Sequence, residues 1–298
     1  MCIIHNDDKV ELMKGIILAG GKGSRLFPIT STFSKQLAPV YDKPLIYYPL
    51  ATLMLAGIRQ VLIISTAEDK PLFLKLLRDG SDIGMEFTYK VQNSPDGLAQ
   101  ALILADEFLD GSKSALILGD NIFHGAGVGR NLELHKQVEG AQIFASLVTN
   151  PEAYGVVEFD SSGKTLSIEE KPEAPKSKYA IPGLYFFDEM APEYARKIKP
   201  SPRGELEITS LLEIYLFKNQ LKTEILQRGT AWLDTGTFDA LFAAASYVKI
   251  IEERQGLKIS CPEEIAWRSG WITSAKLSSL ADQYSNSNYG SYLRNLLD

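Results

Sequence analysis

The sequence has little cysteine and no long apolar run. Only Cys2 and Cys261 occur among 298 residues, which gives neither a disulfide framework nor a zinc site and is typical of a reducing cytoplasm. No stretch of about 18 apolar residues is present, so no membrane span is predicted. The first twelve residues lack the apolar stretch of a signal peptide. We therefore expect a cytoplasmic protein without a membrane partner.

An excess of positive charge is missing as well. The chain has 31 lysines and arginines against 37 aspartates and glutamates, a net charge of −6 and an isoelectric point near 5.3. Because a general nucleic-acid binder normally shows a basic face, we do not expect nucleic acid as a partner. Small phosphorylated molecules remain open, since a few local cations suffice to bind them. Hydrophobic residues make up 45% of the chain, enough for a sizeable core.

Short apolar runs and helical patterns alternate in the first half of the chain. This rhythm predicts βαβ units, and hence an α/β fold with a doubly wound, mostly parallel sheet. The predicted strands are Lys14–Leu18, Val61–Ser65, Glu86–Val91, Ala115–Leu118 and Ile143–Val148. The predicted helices between them are Pro44–Ala56, Asp69–Arg78, Leu98–Phe108 and Gly129–Val138.

The rhythm changes after about residue 150. Short strands predict a small antiparallel insert over Gly155–Phe187. A helix over Glu207–Lys218, a strand over Lys222–Leu226 and a helix over Phe238–Arg254 follow. The last stretch, Pro262–Asp298, predicts a helical C-terminal tail.

A glycine-rich segment follows the first predicted strand. Gly20, Gly21 and Gly23 would let backbone N–H groups approach a polyphosphate, and Arg25 offers a bidentate fork for phosphate oxygens. A plain tight turn is the alternative. Leu26 stands where a Rossmann dinucleotide fingerprint needs glycine or alanine, and the Walker A order is absent. A dehydrogenase and a P-loop hydrolase are therefore disfavoured.

Four polar residues stand near predicted turns or strand ends. Lys35 could lie across the phosphates from Arg25, although a lone lysine is more often solvated. Asp120 and Asp234 follow apolar runs, which is typical of turn caps and also places carboxylates at the ligand crevice of such a sheet. Gln92 precedes a turn and could equally face solvent.

A series of motifs resembles the family of nucleotidyltransferases that activate sugar 1-phosphates. They begin with GIILAGGKGSRL at Gly15 and SKQ at Ser34, and continue with YDKPLIYYP at Tyr41, SPDGLAQ at Ser94, LGDN at Leu118, YGVVEFD at Tyr154, EEKP at Glu169, PRGELEIT at Pro202 and WLDTGT at Trp232. The tail adds RQGLK at Arg254, PEEIA at Pro262 and YGSYL at Tyr289. From about Met13 to the end, the match is similar to glucose-1-phosphate thymidylyltransferases.

The resemblance implies transfer of a thymidylyl group from dTTP to glucose 1-phosphate, with release of pyrophosphate, early in dTDP-sugar biosynthesis. The attacking phosphate oxygen is already an anion, so alignment and charge stabilisation are needed rather than a catalytic histidine or serine. Mg²⁺ is the implied cofactor, and His5, His124 and His135 form no ligand cluster for a metal. The same chemistry with UTP or another hexose 1-phosphate is the alternative.

The resemblance also implies a role for individual residues. The implied catalytic residues are Arg25, Lys35, Asp120, Lys171 and Asp234, of which Asp120 and Asp234 are the metal ligands. The implied nucleotide-binding residues are Gly20, Gly21, Gly23, Ser24, Arg25, Lys35, Gln36, Gln92 and Gly97, with Gln92 reading the thymine edge. The implied sugar-phosphate-binding residues are Asn121, Tyr154, Gly155, Glu170, Lys171, Ile181 and Arg203.

The family resemblance extends to organisation and regulation. It implies a Rossmann-like nucleotidyltransferase core over residues 13–254, a mobile extension over residues 1–12, and a helical region over residues 255–298 that serves as an oligomer or regulatory surface. A homotetramer and feedback inhibition by dTDP-rhamnose are implied as well. The tail aromatics would suit an interface, unless they dock on their own domain; they are Trp267, Trp271, Tyr284, Tyr289 and Tyr292. Pro182 departs from the family pattern beside the implied sugar pocket.

Overall fold

The structure is a computed structural model, and it describes residues 13–21, 23–125, 128 and 132–298. The predicted N-terminal extension over residues 1–12 lies outside the described residues.

Helices and strands alternate through most of the described chain. The strands are β1 Lys14–Leu18, β2 Pro39–Val40, β3 Lys43–Pro44, β4 Gln60–Ser65, β5 Glu86–Val91, β6 Ser114–Leu118, β7 Asn121–His124, β8 Ala141–Leu147, β9 Gly155–Phe159, β10 Thr165–Glu170, β11 Tyr179–Ala180, β12 Leu184–Phe187, β13 Leu221–Ile225 and β14 Ala231–Asp234. The helices are α1 Tyr47–Leu55, α2 Lys70–Leu77, α3 Gln100–Leu109, α4 Ala191–Ala195, α5 Ile208–Phe217, α6 Phe238–Gln255, α7 Pro262–Arg268, α8 Ser274–Gln283 and α9 Asn288–Asn295.

One large sheet forms the centre of the fold, with its strands in the order β10-β9-β11-β8-β12-β6-β1-β4-β5 and β13 added beside β8. Strands β6, β1, β4 and β5 are parallel, as are β8 and β13. This confirms the predicted α/β class and its parallel core. The predicted antiparallel strands do not form a separate unit, because β12 joins them to the core by pairing antiparallel with both β6 and β8.

Side chains of β1 show why helices cover both faces of the sheet. Ile16 and Leu18 belong to one hydrophobic cluster with helices α3 and α5, whereas Ile17 belongs to another with helices α1 and α2. Alternate residues of a strand point to opposite faces, so a strand buried on both faces must be apolar throughout. The run Lys14–Leu18 satisfies this condition after its first residue.

One predicted helix is a different kind of helix in the structure. Where the sequence pattern predicts a helix over Gly129–Val138, the described part of this range is a 3-10 stretch over Leu132–Gln137. Leu132 and Val138 are its buried apolar anchors. Six residues make two full turns at 3.0 residues per turn, which places both anchors on one face, whereas an α-helix would place them on different faces.

The C-terminal helices pack on the rest of the chain, as the predicted helical tail requires. Ala266 of α7 belongs to the cluster that contains α1 and α2. The guanidinium of Arg59 lies 5.4 Å from the Trp271 ring centre. Within the tail itself, Tyr289 and Tyr292 of α9 donate to Glu263 at 2.5 Å and Glu264 at 2.6 Å of α7. These contacts occupy much of the aromatic surface within the same chain, so it gives little support to an interface.

Within the described ranges, the structure contains no helix that is both long and apolar enough to cross a membrane.

Candidate active site

A cavity of about 640 Å³ opens at the carboxyl ends of β1, β5 and β6. Ligands of open α/β sheets bind at this edge, and the volume is within the usual range for a small-molecule site. Most of the residues that the sequence singled out line it, namely Gly20, Gly21, Arg25, Gln92, Gly97, Asp120, Asn121, Tyr154, Gly155, Glu170, Lys171, Ile181, Arg203 and Asp234.

The glycine loop contributes unevenly to this cavity. Gly21 has a φ of +98°, lines the cavity, and would place an added Cβ more than 4 Å from any atom beyond its neighbours in the chain. Gly23, at a φ of +57°, instead supports the loop itself, because its carbonyl accepts a hydrogen bond from Thr30 Oγ1 at 2.7 Å. Gly23 and Ser24 are not among the residues lining this cavity. Their predicted role in nucleotide binding stays a prediction.

Lys35 and Gln36 follow on a short 3-10 turn. The Lys35 ammonium forms an ion pair with Asp120, which brings it to the cavity. Gln36 is buried beneath, where its side chain accepts a hydrogen bond from Ser34. Its predicted contact with the nucleotide stays a prediction, and the structure gives Gln36 a place in the loop's own packing.

Asp120 is held at the turn between β6 and β7. Burial would raise the pKa of its carboxyl, but the Lys35 ammonium and the hydrogen bonds from Lys35 and Asn121 outweigh burial and hold this pKa below its ordinary value. Asn121 Nδ2 donates to the second carboxylate oxygen at 2.9 Å. The carboxylate is therefore ionised and fixed in orientation.

Asp234 ends β14, which pairs antiparallel with β7 so that Asp234 lies opposite Asn121. This pairing brings the two aspartates together although they are far apart in sequence. Burial and the negative charge of Asp120 raise the pKa of the Asp234 carboxyl, against the opposite effect of Lys35 and Arg25. Two carboxylates that repel each other in a buried site are a suitable place for a cation.

The donor set fits Mg²⁺. Among the described residues, no group of three or more histidine, cysteine, aspartate or glutamate side chains could hold a metal. Mg²⁺ commonly takes one or two carboxylates, keeps several waters and shares substrate phosphates, so the pair Asp120 and Asp234 is sufficient.

Trp232 is a site residue that the sequence reasoning missed. Its indole Nε1 donates to Asn121 Oδ1 at 2.6 Å, and its ring meets the ring of Tyr154 edge-on with the centres 5.1 Å apart. Strand periodicity was the available signal, because Trp232 stands two residues before Asp234 and so points to the same face. Asn121 Oδ1 also accepts from the Gly183 N–H at 3.1 Å. Asn121 is thereby engaged in holding the site together.

Lys171 and Glu170 line the cavity next to Tyr154, whose carbonyl accepts a hydrogen bond from the Lys171 N–H at 3.0 Å. Lys171 has a φ of +43°, an unusual value for a residue with a Cβ that is tolerated mostly at functional sites. Burial and the charge of Glu207 raise the pKa of the Glu170 carboxyl, against Lys171 and Arg203. Glu170 therefore sits in a pocket that penalises its own charge, which a hydroxyl donor would relieve.

Arg203 is engaged with carboxylates rather than free for a phosphate. Its guanidinium donates to both oxygens of the buried Glu207, at 2.9 and 3.0 Å, and reaches Glu205 at 3.2 Å. Sequence reasoning did not assign Glu207, although its spacing of four residues from Arg203 was visible. By contrast, Arg25 and Lys171 form no ion pair with any residue that the structure describes.

Gln92 and Gly97 stand at the remaining side, near β5 and α3. Gln92 is buried, with 7% of its surface exposed, and it lines the cavity. Gly97 has a φ of +115°, and a Cβ there would lie 2.4 Å from both the backbone N and O of Leu206. The chain needs glycine at this position for its own packing, whether or not a base is bound.

Comparisons with family models and with known proteins agree on one family. Residues 14–249 match the model of the nucleotidyl transferase family. A glucose-1-phosphate thymidylyltransferase of Mycolicibacterium smegmatis is 56% identical over 286 residues, which cover 96% of this chain and 99% of that protein. One from Neisseria meningitidis is 54% identical with the same coverage.

Solved structures give the same result for the fold. A Bacillus anthracis structure, described as a candidate glucose-1-phosphate thymidylyltransferase in complex with a sucrose, has a TM-score of 0.73 and 40% identity. It covers 79% of this chain, and the match takes in 94% of that chain. A UDP-glucose pyrophosphorylase complexed with UDP-glucose has a TM-score of 0.71 at 24% identity, which shows a shared fold alone.

Proposed function

Because the chain belongs to the nucleotidyl transferase family, and within it to the glucose-1-phosphate thymidylyltransferases, we propose that it joins dTTP to glucose 1-phosphate and releases pyrophosphate. The observation that carries this proposal is the distribution of charge in the cavity. Two carboxylates, Asp120 and Asp234, line the same cavity as two cations, Arg25 and Lys171, and neither cation forms an ion pair with a residue that the structure describes. Two phosphate-bearing substrates can therefore meet at the carboxylate pair.

In this proposal, each of the two cations binds one substrate. Arg25 and the glycine-loop backbone bind the triphosphate, while Lys171 binds the phosphate of the sugar and Glu170 accepts from a sugar hydroxyl. The sugar phosphate oxygen then attacks the α-phosphorus in line with the departing pyrophosphate. Lys35 forms an ion pair with Asp120, and its ammonium stabilises the negative charge that shifts between the two phosphates during the reaction.

Asp120 and Asp234 would hold the Mg²⁺ ion. When bound, such an ion neutralises phosphate oxygens and stabilises the charge of the transition state. Asn121 fixes the orientation of the Asp120 carboxylate, and Trp232 fixes Asn121 through its indole N–H.

The direct test is pyrophosphate release from dTTP, UTP, dCTP and ATP, each with glucose 1-phosphate and galactose 1-phosphate. We expect the highest kcat/KM with dTTP and glucose 1-phosphate, and no release without a divalent ion. Absence of release from every pair would contradict the proposal.

The division of labour between the cations gives a sharper test. Arg25→Ala should chiefly impair the use of dTTP, and Lys171→Ala should chiefly impair the use of glucose 1-phosphate, because the two side chains bind the phosphates of different substrates. Lys164→Ala is the matched control, because Lys164 is exposed at the turn before β10 and lies outside the cavity. Steady-state kinetics with each substrate varied in turn measures the effects. Equal losses on both substrates would show that the division is wrong.

UTP and other hexose 1-phosphates remain the second candidate substrates. Thymine and uracil present the same hydrogen-bonding edge to Gln92, so the two bases differ only in the methyl group, which is worth about 1–3 kcal/mol. The sugars of dTTP and UTP differ in addition by the 2′-hydroxyl. At the sugar, Pro182 removes a backbone donor next to Ile181, which affects the choice of hexose more than the chemistry.

The wider organisation completes the proposal. We retain a homotetramer, feedback inhibition by dTDP-rhamnose, a cytoplasmic location, and a boundary between residues 254 and 255 that separates the catalytic domain from the helical region. Exposed apolar residues on α6 suit a subunit contact better than the tail aromatics do; they are Phe238, Phe242 and Ile250. Light scattering at micromolar concentration, with and without dTDP-rhamnose, tests the assembly.

A further inference from the structure

A chain of hydrogen bonds runs from Gln92 away from the cavity. Gln92 Nε2 donates to Gln100 Oε1 at 2.6 Å, and Gln100 Nε2 donates to Asp96 Oδ2 at 2.8 Å. The backbone N–H of Asp96 also donates to Gln100 Oε1, at 3.2 Å. Ser94 Oγ donates to the same Asp96 carboxylate at 2.6 Å. Gln100 is the first residue of α3, so the chain of bonds is anchored on a helix.

The direction of this chain is fixed by Asp96. An amide side chain can face either way, but a carboxylate only accepts hydrogen bonds and a backbone N–H only donates them. Gln100 can satisfy both groups of Asp96 in one orientation only, with Nε2 toward the carboxylate and Oε1 toward the N–H. Gln100 Oε1 then requires a donor from Gln92, which must offer its Nε2.

The oxygen of Gln92 consequently faces the other way. A Cβ added at Gly20 would lie 2.3 Å from Gln92 Oε1, so this oxygen packs against the glycine loop. Gly20 and Gln92 both line the cavity. In this orientation the Gln92 amide has its carbonyl oxygen and its second Nε2 hydrogen available to a bound base.

We propose that Gln100 and Asp96 are positioning residues that fix the Gln92 amide and thereby select bases with a ring N–H. Thymine and uracil offer N3–H beside a carbonyl, which matches this orientation. Cytosine offers a bare N3 acceptor beside an amino group, which would match only the flipped amide. The inference rests on the proposed function and assigns the origin of its selectivity between pyrimidines.

Removing the hydrogen bond between Gln92 and Gln100 should allow the Gln92 side-chain amide to adopt its flipped orientation. Gln100→Met keeps the side-chain length and fills the same space, but it can no longer hold Gln92. We expect the ratio of kcat/KM for dTTP to that for dCTP to fall about ten-fold, which corresponds to about 1.4 kcal/mol. That loss is the usual net value of one hydrogen bond. The ratio for dTTP to dUTP should not change, because both bases present the same edge. A general loss of packing would lower the rates with all three nucleotides alike.

A double variant tests the direction of the bonds. In Asp96→Asn with Gln100→Glu, the carboxylate moves to position 100, where it still accepts from Gln92 and from the backbone, while the new amide donates to it. This variant should keep the wild-type ratio. Gln60→Met is the matched control, since Gln60 binds Glu86 at 2.9 Å at the far end of β4.

The outcomes separate the two proposals. A wild-type enzyme that does not use dTTP would remove the proposed function. A wild-type enzyme that uses dTTP, with an unchanged dTTP-to-dCTP ratio in Gln100→Met, would overturn the positioning role alone. An equal fall of that ratio in the double variant would also overturn it. Thermal shifts on adding dTTP or dCTP alone give the same comparison for a variant with weak turnover.

Discussion

Gly97→Ala should damage both stability and catalysis, because Gly97 lines the cavity and packs against the backbone of Leu206. The turn that contains it is hydrogen-bonded to Leu206, whose N–H donates to the Asp96 carbonyl at 2.6 Å and whose carbonyl accepts from the Ala99 N–H at 3.1 Å. Leu206 lies between Arg203 and Glu207 on the sugar-phosphate side. A Cβ at Gly97 would push these two segments apart.

Two separate costs add at this position. A residue with a Cβ at a φ of +115° pays about 1–2 kcal/mol for the left-handed backbone. The new Cβ would also lie 2.4 Å from the backbone of Leu206, and such overpacking costs about 1–3 kcal/mol more. Gly111→Ala is the matched control, because Gly111 has a φ of +73° but no atom within 4 Å of the added Cβ.

Denaturant unfolding of the two variants measures the difference. We expect Gly97→Ala to be less stable than Gly111→Ala by at least about 1–3 kcal/mol, because the overlap cost adds to a backbone cost that is greater at a φ of +115° than at +73°. Gly97→Ala should also raise KM for both substrates, whereas Gly111→Ala should leave both unchanged. Equal stability of the two variants would refute the reasoning from Leu206.

Two further predictions concern the carboxylates. Asp120→Asn should lower kcat by roughly 10²-fold or more, comparable with the loss of a principal electrostatic group, and normal Mg²⁺-dependent turnover would contradict its assignment. In Glu207→Gln, loss of a negative charge should lower the pKa of Glu170, which burial and Glu207 together raise. If Glu170 acts as a carboxylate, as proposed, the acid-side fall of kcat/KM for glucose 1-phosphate should move to lower pH. An acid-side fall that does not move would contradict this role of Glu170.

The strands and helices of the parallel core could be predicted because the apolar pattern of each segment reflects how that segment is buried. The strand Lys14–Leu18 has the predicted bounds, and α5 and α6 begin and end within one residue of prediction. A strand buried on both faces must be apolar throughout, and its neighbours do not alter that requirement.

Pairings between distant segments were not predictable in the same way. Strands β7 and β14 are only four residues each, and their identity as a pair depends on contact across more than a hundred residues. The position of β12 between β6 and β8 likewise follows from the whole sheet. Periodicity alone gave no sign of either.

The residues of the site show the same difference between what local sequence indicates and what depends on the whole fold. Asp120 and Asp234 were predicted as metal ligands from the family resemblance, and the structure places both at the cavity. Glu207 and Gln100 are hydrogen-bonded to other side chains, Arg203 and Gln92, and these partners are defined only by the fold. A residue whose role is to orient another has no chemical signature of its own in a sequence.

Some cations of the cavity are paired with carboxylates in the free protein and others are not, and this difference explains how an acidic chain can bind two anionic substrates. Lys35 is paired with Asp120, and Arg203 with Glu207. Removing an ion from water without a partner costs several kcal/mol, so these internal pairs keep the cavity stable before substrates arrive. Arg25 and Lys171 lack such partners among the described residues and are available at once. Phosphate binding should therefore begin at these two cations, one for each substrate, with Lys35 and Arg203 exchanging a carboxylate for a phosphate only afterwards.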